Sequence, residues 1–200
     1  MKKIKKILMV TLMLVIFTGC KNIFTYENKK IDYLSGKHYV EMSIKDYGII
    51  KMELDADEAP ISVTNFMSLV KEKFYDGNKL HRIYKDFVIQ GGMDADGHAN
   101  IKGEFDANGV SNNITHVRGV VSMARAGDSS SGFDTASTQF FIVLKDSTFL
   151  DHYYAGFGKV TSGMEVADKI AETVTNVNEN GEVQNENDMP IIEYIKEIEK

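Results

Sequence analysis

The stretch Leu80 to Gly92, LHRIYKDFVIQGG, carries one arginine and one glutamine inside an otherwise apolar double run. A turn at Lys85-Asp86 folds the two halves back antiparallel, and a register centred on Asp86 sets Arg82 opposite Gln90. A guanidinium whose fork is fixed by a glutamine carbonyl is a pre-aimed donor of permanent charge. Such a donor serves chemistry in which a lone pair or negative charge develops at one atom. Taken alone, Arg82 is better read as a solvated surface charge, and the remainder of the chain has to change that.

The elements that must position this pair follow from periodicity. From Tyr39, Val40, Met42 and Ile44 alternate with Glu41, Ser43 and Lys45, Asp46-Tyr47-Gly48 turns, and Ile50, Met52 and Leu54 alternate again, which predicts a hairpin with one buried face. After Pro60, Val63, Phe66, Leu69, Val70 and Phe74 fall on one stripe, predicting a helix of about four turns. Strands are expected at Leu80 to Tyr84, Phe87 to Gln90, Gly119 to Ala124 and Gln139 to Leu144, with a loop from Gly91 to Arg118 and another, RAGDSSSGFDTAST, between the last two. AGFGKV is a further strand, and Met164, Ala167, Ile170, Ala171 and Val174 mark a second helix. The polar NENGEVQNEND makes a long turn before a closing strand in IIEYIKEIE. Short strands, two separated helices and no alternating βαβ rhythm point to a mainly β fold with a closed, mainly antiparallel sheet. Fold economy, not the pattern, suggests that the helices plug the two open ends of the barrel.

With 43% hydrophobic and 26% charged residues in a chain of 200, the composition is that of one globular domain with a short appendage, which excludes disorder throughout. The appendage is the N-terminus. MKKIKK is basic, ILMVTLMLVIF is apolar over 11 residues, and TGC is a small-residue exit, the order of a signal peptide. Eleven residues fall short of the roughly 20 that a spanning helix needs. Phe17-Thr18-Gly19-Cys20 resembles the lipobox of bacterial lipoproteins, with Phe17 where leucine is usual. That resemblance implies a diacylated Cys20, the only cysteine in the chain, and hence a membrane anchor on the extracytoplasmic side. An ordinary secretory signal with a chance cysteine is the alternative. The expected organisation is a lipoprotein signal peptide at 1–20, a polar tether at 21–37 and a single domain at 38–200. Loss of Lys2, Lys3, Lys5 and Lys6 with the signal leaves 19 basic against 29 acidic residues, a net charge near −10, which excludes a nucleic-acid partner.

Four blocks taken together, FYDGNKLHRIYKDFVIQGG, RGVVSMARAG, STQFFIVL and FLDHYYAGFGKV, resemble the cyclophilin family of peptidyl-prolyl cis-trans isomerases in order and spacing, from about Tyr39 to Ile198. The resemblance implies an eight-stranded barrel capped by two helices, with a groove on its outer face. It implies that Arg82 is the catalytic arginine and that Gln90 orients it and contacts the substrate backbone. Phe87, Val88, Phe141 and Leu150 match the lining of the proline pocket, Val88 standing where many members have methionine. Ala124, Arg125 and Ala126 match the segment that runs along the residue before proline, its middle position acting mainly through its backbone. Phe149 replaces a frequent tryptophan, and Tyr154 stands where eukaryotic members have histidine. The expected partners are proline-containing segments of exported proteins, met by a monomer without cofactor or metal.

Rotation about an Xaa-Pro bond needs no nucleophile. It must break amide resonance, a barrier of roughly 18–20 kcal/mol, and the pyramidal proline nitrogen of the twisted state regains a lone pair that a positioned donor can meet. Adjacent Phe140 and Phe141 face opposite sides of one strand, Phe140 to the core and Phe141 to the pocket. His81, His116 and His152 stand singly, as packed or surface residues and not as metal ligands. Asp94 to His98, DADGH, lacks calcium-loop spacing and reads as a turn, and Asn113-Ile114-Thr115 is a chance glycosylation sequon. The loop from Gly127 to Thr138 is long for the family and carries an exposed-looking Phe133. Two other readings stay open, a chaperone that holds proline segments without turnover and a surface adhesin on the same scaffold.

Overall fold

The computed structural model describes residues 32–95, 97–127 and 130–200. The signal segment, Cys20 and the tether up to residue 31 lie outside the described residues. The elements run β1 (Lys37–Ile44), β2 (Gly48–Asp55), α1 (Pro60–Lys71), β3 (Leu80–Tyr84), β4 (Val88–Gly91), β5 (Val120–Met123), β6 (Phe140–Val143), β7 (Gly156–Ser162), α2 (Met164–Thr173) and β8 (Ile192–Glu197). The end of the tether already belongs to the domain. Leu34 N–H donates to Thr64 Oγ1 at 2.8 Å, and Gly36 carbonyl accepts from Ala56 N–H at 2.9 Å.

Eight antiparallel strands form one sheet in the order β3-β4-β6-β5-β7-β2-β1-β8. The expected closure is not observed: β3 and β8 are the two ends of an open half-barrel, linked by a single isolated bridge between Lys79 and Ile191. The cause is the polar segment after α2, expected to be a plain turn. It lies along the outer edge of β3 instead, where Ile83 N–H donates to Gly181 carbonyl at 2.7 Å and Val183 N–H to His81 carbonyl at 2.9 Å. The donors and acceptors that β8 would have used are therefore taken.

Alternation along the central strands gives the sheet two buried faces. Ile89, Val121, Phe140 and Ile142 point into the main core, while Val88, Val120, Phe141 and Val143 build a second, smaller cluster on the other side. Both helices cover the main core, α1 through Val63, Phe66, Met67, Leu69 and Val70 and α2 through Val166, Ala167, Ile170 and Ala171. Phe66 stands at the centre, with its ring 5.0–5.4 Å from those of Tyr75, Phe140 and Phe157.

Helix α1 is a turn shorter than its apolar stripe implies. Lys73 sits at φ 58, its N–H donating to Val70 carbonyl at 3.1 Å while Phe74 N–H donates to Leu69 carbonyl at 3.0 Å, which ends the helix before Phe74. Its start is also unusual. Ala59 supplies no side-chain cap, and the buried carboxylate of Glu104 comes from the long loop to accept Ile61 N–H at 2.8 Å, Ser62 N–H at 2.7 Å and Ser62 Oγ–H at 2.7 Å. A carboxylate at that position meets three donors and the positive end of the helix.

Candidate active site

The hairpin β3–β4 pairs Arg82 with Gln90, Ile83 with Ile89 and Tyr84 with Val88, around a turn in which Asp86 takes φ 61. Gln90 next pairs with Phe141 across β4–β6, and Phe141 with Ser122 across β6–β5. Three neighbouring strands thus present a cation, an amide and an aromatic ring in one row. Gly92, at φ 84, follows β4 directly. A Cβ there would lie 2.5 Å from Thr138 carbonyl, so the second glycine of the QGG triplet is required by the close passage of the chain.

Nine of the expected residues line one cleft of about 270 Å3: Arg82, Phe87, Val88, Gln90, Ala124, Arg125, Phe141, Leu150 and Tyr154. Val88, Phe141 and Leu150 are at most 6% exposed, so the floor is apolar and rigid. Two expected residues stand outside it. Ala126 lines an adjoining cavity of about 260 Å3 with Asp94, His98 and Thr135, and Phe149 is 70% exposed, its ring stacked on Phe87 at 5.7 Å. A larger cavity of about 690 Å3, between the β1–β2 turn and the chain after α2, shares no residue with the cleft.

Arg82 Nη1 donates to Gln90 Oε1 at 3.2 Å, and Gln90 Nε2 donates to Gln139 Oε1 at 2.9 Å. The Arg82 guanidinium also stands 5.6 Å from the Phe87 ring centre and 5.7 Å from that of Tyr84. This is a permanent donor set against aromatic faces, with less water around it than a surface arginine has. Gln139 and Tyr84 were not singled out by sequence. Only the polar interruption of the STQFF run marked Gln139.

Arg125 offers its main chain and also engages its side chain. Among the described residues its main-chain N–H and carbonyl make no hydrogen bond, which leaves them for a peptide, but the side chain is far from idle. Its Nε donates to Tyr153 carbonyl at 2.9 Å, its Nη1 to Gly127 carbonyl, and the guanidinium lies 4.6 Å from the Tyr154 ring centre and 5.3 Å from that of Phe133. Phe133 is not exposed. It is half-buried on Phe105, edge to face at 5.2 Å, because an aromatic ring beside a cation and a second ring is better placed inside than in water.

Beneath Phe141 lies a chain of polar groups. Asp151 Oδ1 accepts from His116 N–H at 2.7 Å and stands 2.8 Å from its Nδ1, while Nε2 stands 3.0 Å from Ser122 Oγ. The order of atoms is that of a hydrolytic relay. Ser122 and His116 are 0% and 1% exposed, however, and the His116 ring stacks on Phe141 at 6.2 Å, so no substrate atom reaches the hydroxyl. The chain props the cleft floor. Burial holds His116 below the usual histidine range, against the opposing pull of Asp151, and burial with Arg82 beside it lowers His81 as well. His152 pairs with Asp106 and His98 with Asp94 at 2.8 Å, each a single carboxylate partner, and the second pair joins the two ends of DADGH.

The open antiparallel sheet thus carries a held guanidinium above an apolar cleft, with no serine, threonine, cysteine or lysine among the described residues that line it. The sequence matches the model of the cyclophilin type peptidyl-prolyl cis-trans isomerase family over residues 39–195. It is 41% identical over 152 residues to peptidyl-prolyl cis-trans isomerase A of Dickeya dadantii, covering 72% of this chain and 76% of that protein. It is 43% identical over 145 residues to a peptidyl-prolyl cis-trans isomerase of Acinetobacter baylyi, covering 68% and 73%. The fold is similar to that of a cyclophilin type peptidyl-prolyl cis-trans isomerase of Cryptosporidium parvum, with a TM-score of 0.69 at 24% identity, over 82% of this chain and 99% of that one. The same neighbour crystallised in the presence of the dipeptide ala-pro gives a TM-score of 0.67 at 25% identity, over 81% of this chain and 99% of that one. The chain belongs to the cyclophilin-type peptidyl-prolyl cis-trans isomerases, and its activity is theirs.

Proposed function

We propose that Arg82 is the donor that meets the proline nitrogen as the Xaa-Pro bond twists, and that the isomerase works on exported proteins outside the cytoplasmic membrane. The observation that carries the first part is the Arg82–Gln90 hydrogen bond at the mouth of the apolar cleft. In either planar ground state the proline nitrogen is delocalised and accepts poorly. In the twisted state its lone pair is available, so the donor binds the transition state better than the substrate.

Phe87, Val88, Phe141 and Leu150 grip the pyrrolidine ring. Ala124, Arg125 and Ala126 run along the residue before proline, the Arg125 main chain, unpaired among the described residues, offering one donor and one acceptor. Tyr154 closes one wall, edge to face on Phe141 at 5.9 Å, and Phe149 extends the other past Phe87. Gln90 aims the guanidinium and meets the substrate backbone. The neighbour crystallised with the dipeptide ala-pro supports proline-containing segments as the ligand class. Exchange spectroscopy of a short Ala-Pro peptide tests turnover: catalysed cis-trans exchange is expected, and binding without exchange would favour a holding chaperone.

The location rests on residues 1–20. A basic run, a short apolar stretch and the Phe17-Thr18-Gly19-Cys20 exit support processing at Cys20, diacylation of its thiol and stable retention at the membrane. The reading is of a monomer on a tether. Cys20→Ser is expected to release the protein to the medium or to block its maturation. Unchanged membrane retention at unaltered mature mass would favour an uncleaved span.

A further inference from the structure

Arg82 is held at two atoms, and only one of the holds comes from the cleft. While Nη1 donates to Gln90, Nε donates at 2.8 Å to the main-chain carbonyl of Asn180, 98 residues further along the chain. That carbonyl belongs to a turn organised by one side chain. Asn178 Oδ1 accepts the N–H groups of Asn180 at 3.0 Å and Glu182 at 2.9 Å, and Asn178 Nδ2 donates to the Glu182 carboxylate at 2.7 Å. Main-chain bonds close the same turn, Gly181 N–H donating to Asn178 carbonyl at 2.9 Å and Asn178 N–H to Glu182 carbonyl at 3.0 Å.

The turn is fastened to β3 on either side of Arg82, by Ile83 N–H on Gly181 carbonyl and by Val183 N–H on His81 carbonyl. Gly181 makes this close seating possible. It takes φ 80, and a Cβ there would stand 2.7 Å from Tyr84 Cβ and 2.9 Å from Tyr84 Cα. None of residues 178–182 lines the cleft, and of the residues that do, Arg82 is the one the turn holds by a side-chain hydrogen bond.

A guanidinium held at Nη1 alone can still pivot about that contact. A second acceptor at Nε fixes its plane and leaves the remaining N–H groups aimed in one direction. We propose that the Asn178–Glu182 turn is a positioning device for Arg82, with Asn178 and Gly181 as its positioning residues. The proposal rests on the reading of Arg82 as the donor to the proline nitrogen.

Asn178→Ala is expected to lower kcat about tenfold with KM nearly unchanged and with the circular dichroism of the wild type. The pair Asn178→Asp with Glu182→Gln keeps an acceptor for both N–H groups and reverses the brace, and is expected to restore kcat. In the Arg82→Ala background, Asn178→Ala is expected to cost nothing further. Equal losses in both backgrounds would overturn the proposal, since the turn would then act on the fold and not on the arginine, and so would a wild-type kcat in Asn178→Ala. Should that variant fail to fold, the 15N spectrum of the wild-type enzyme decides: slow solvent exchange of the Arg82 Nε–H supports the second hold, and exchange as fast as that of a free arginine overturns it. A wild-type rate in Arg82→Ala alone sinks the donor reading itself, and is told apart because the turn is untouched in that variant.

Discussion

Gln139 Oε1 accepts the Nε2–H of Gln90 at 2.9 Å, at the opposite end of the amide from the oxygen that accepts from Arg82. With its NH2 group engaged by Gln139, Gln90 has only its oxygen to offer the guanidinium, which is the polarity that Arg82 requires. Gln139→Leu removes this second tether and lets the Gln90 amide swing away from Arg82. The expected result is a loss of about five- to tenfold in kcat/KM with an unaltered fold, read by peptide exchange and circular dichroism. A wild-type value would mean that the orientation of Gln90 is fixed by something else.

Arg82→Ala is expected to retain the fold and to lose two to three orders of magnitude in kcat/KM, the usual cost of about 3–4 kcal/mol for one preorganised donor. Arg82→Lys is expected to recover little of it, because a single ammonium cannot meet Gln90 and Asn180 at once in the geometry of a planar fork. Both rates are checked on the same Ala-Pro peptide.

Stability should fall in mild acid. His116 and His81 are both held below the ordinary histidine value, first of all by burial, so the unfolded chain takes up protons at a pH where the folded one does not. Their contribution is complete above about pH 6.5 and is lost as pH drops below it toward the lowered folded values. Urea midpoints measured from pH 7.5 to 5.5 are expected to decline, and less steeply in His116→Gln. A flat profile in the wild type would contradict this account.

Glu104→Ala is expected to destabilise the domain by about 2–4 kcal/mol, since it orphans two helix N–H groups and the Ser62 hydroxyl in a site that is 1% exposed. Thermal unfolding measures it. Activity per folded molecule should be unchanged, because Glu104 does not line the cleft.

Phe149 offers an aromatic wall but no N–H where cyclosporin-sensitive cyclophilins have tryptophan. Poor cyclosporin inhibition is expected, and Phe149→Trp should tighten it by about tenfold or more, worth about 1–3 kcal/mol, while kcat/KM changes little. The 70% exposure of Phe149 leaves room for the larger indole. Equal inhibition constants in the two proteins would show the missing donor to be irrelevant.

What sequence alone conveyed was what depends on near neighbours. Arg82 and Gln90 are eight residues apart across a turn, so period two and one central residue determine their pairing. Phe140 and Phe141 part by alternation, to the main core and to the cleft cluster respectively. Contacts at long separation carried no local signal. Glu104 reaches α1 from 42 residues away, and Gln139 reaches Gln90 from 49. The expected closure of the barrel failed for the same reason, since polarity in residues 178–188 reads as a turn whether or not its backbone docks on a strand edge. Phe133 looked exposed among serines because its partners, Phe105 and Arg125, are distant in sequence or masked by a loop-like composition.

Strand β1 finds its second neighbour in β8, with Val40 opposite Glu197 and Met42 opposite Ile195. The first strand to be made therefore waits for the last. A chain still being synthesised leaves one side of β1 without main-chain partners until residues 192–197 have emerged, and the sheet cannot be completed before then. Completion of the sheet is thus tied to release of residues 192–197, and truncation just before Ile192 would leave β1 with an edge open to pairing with other chains.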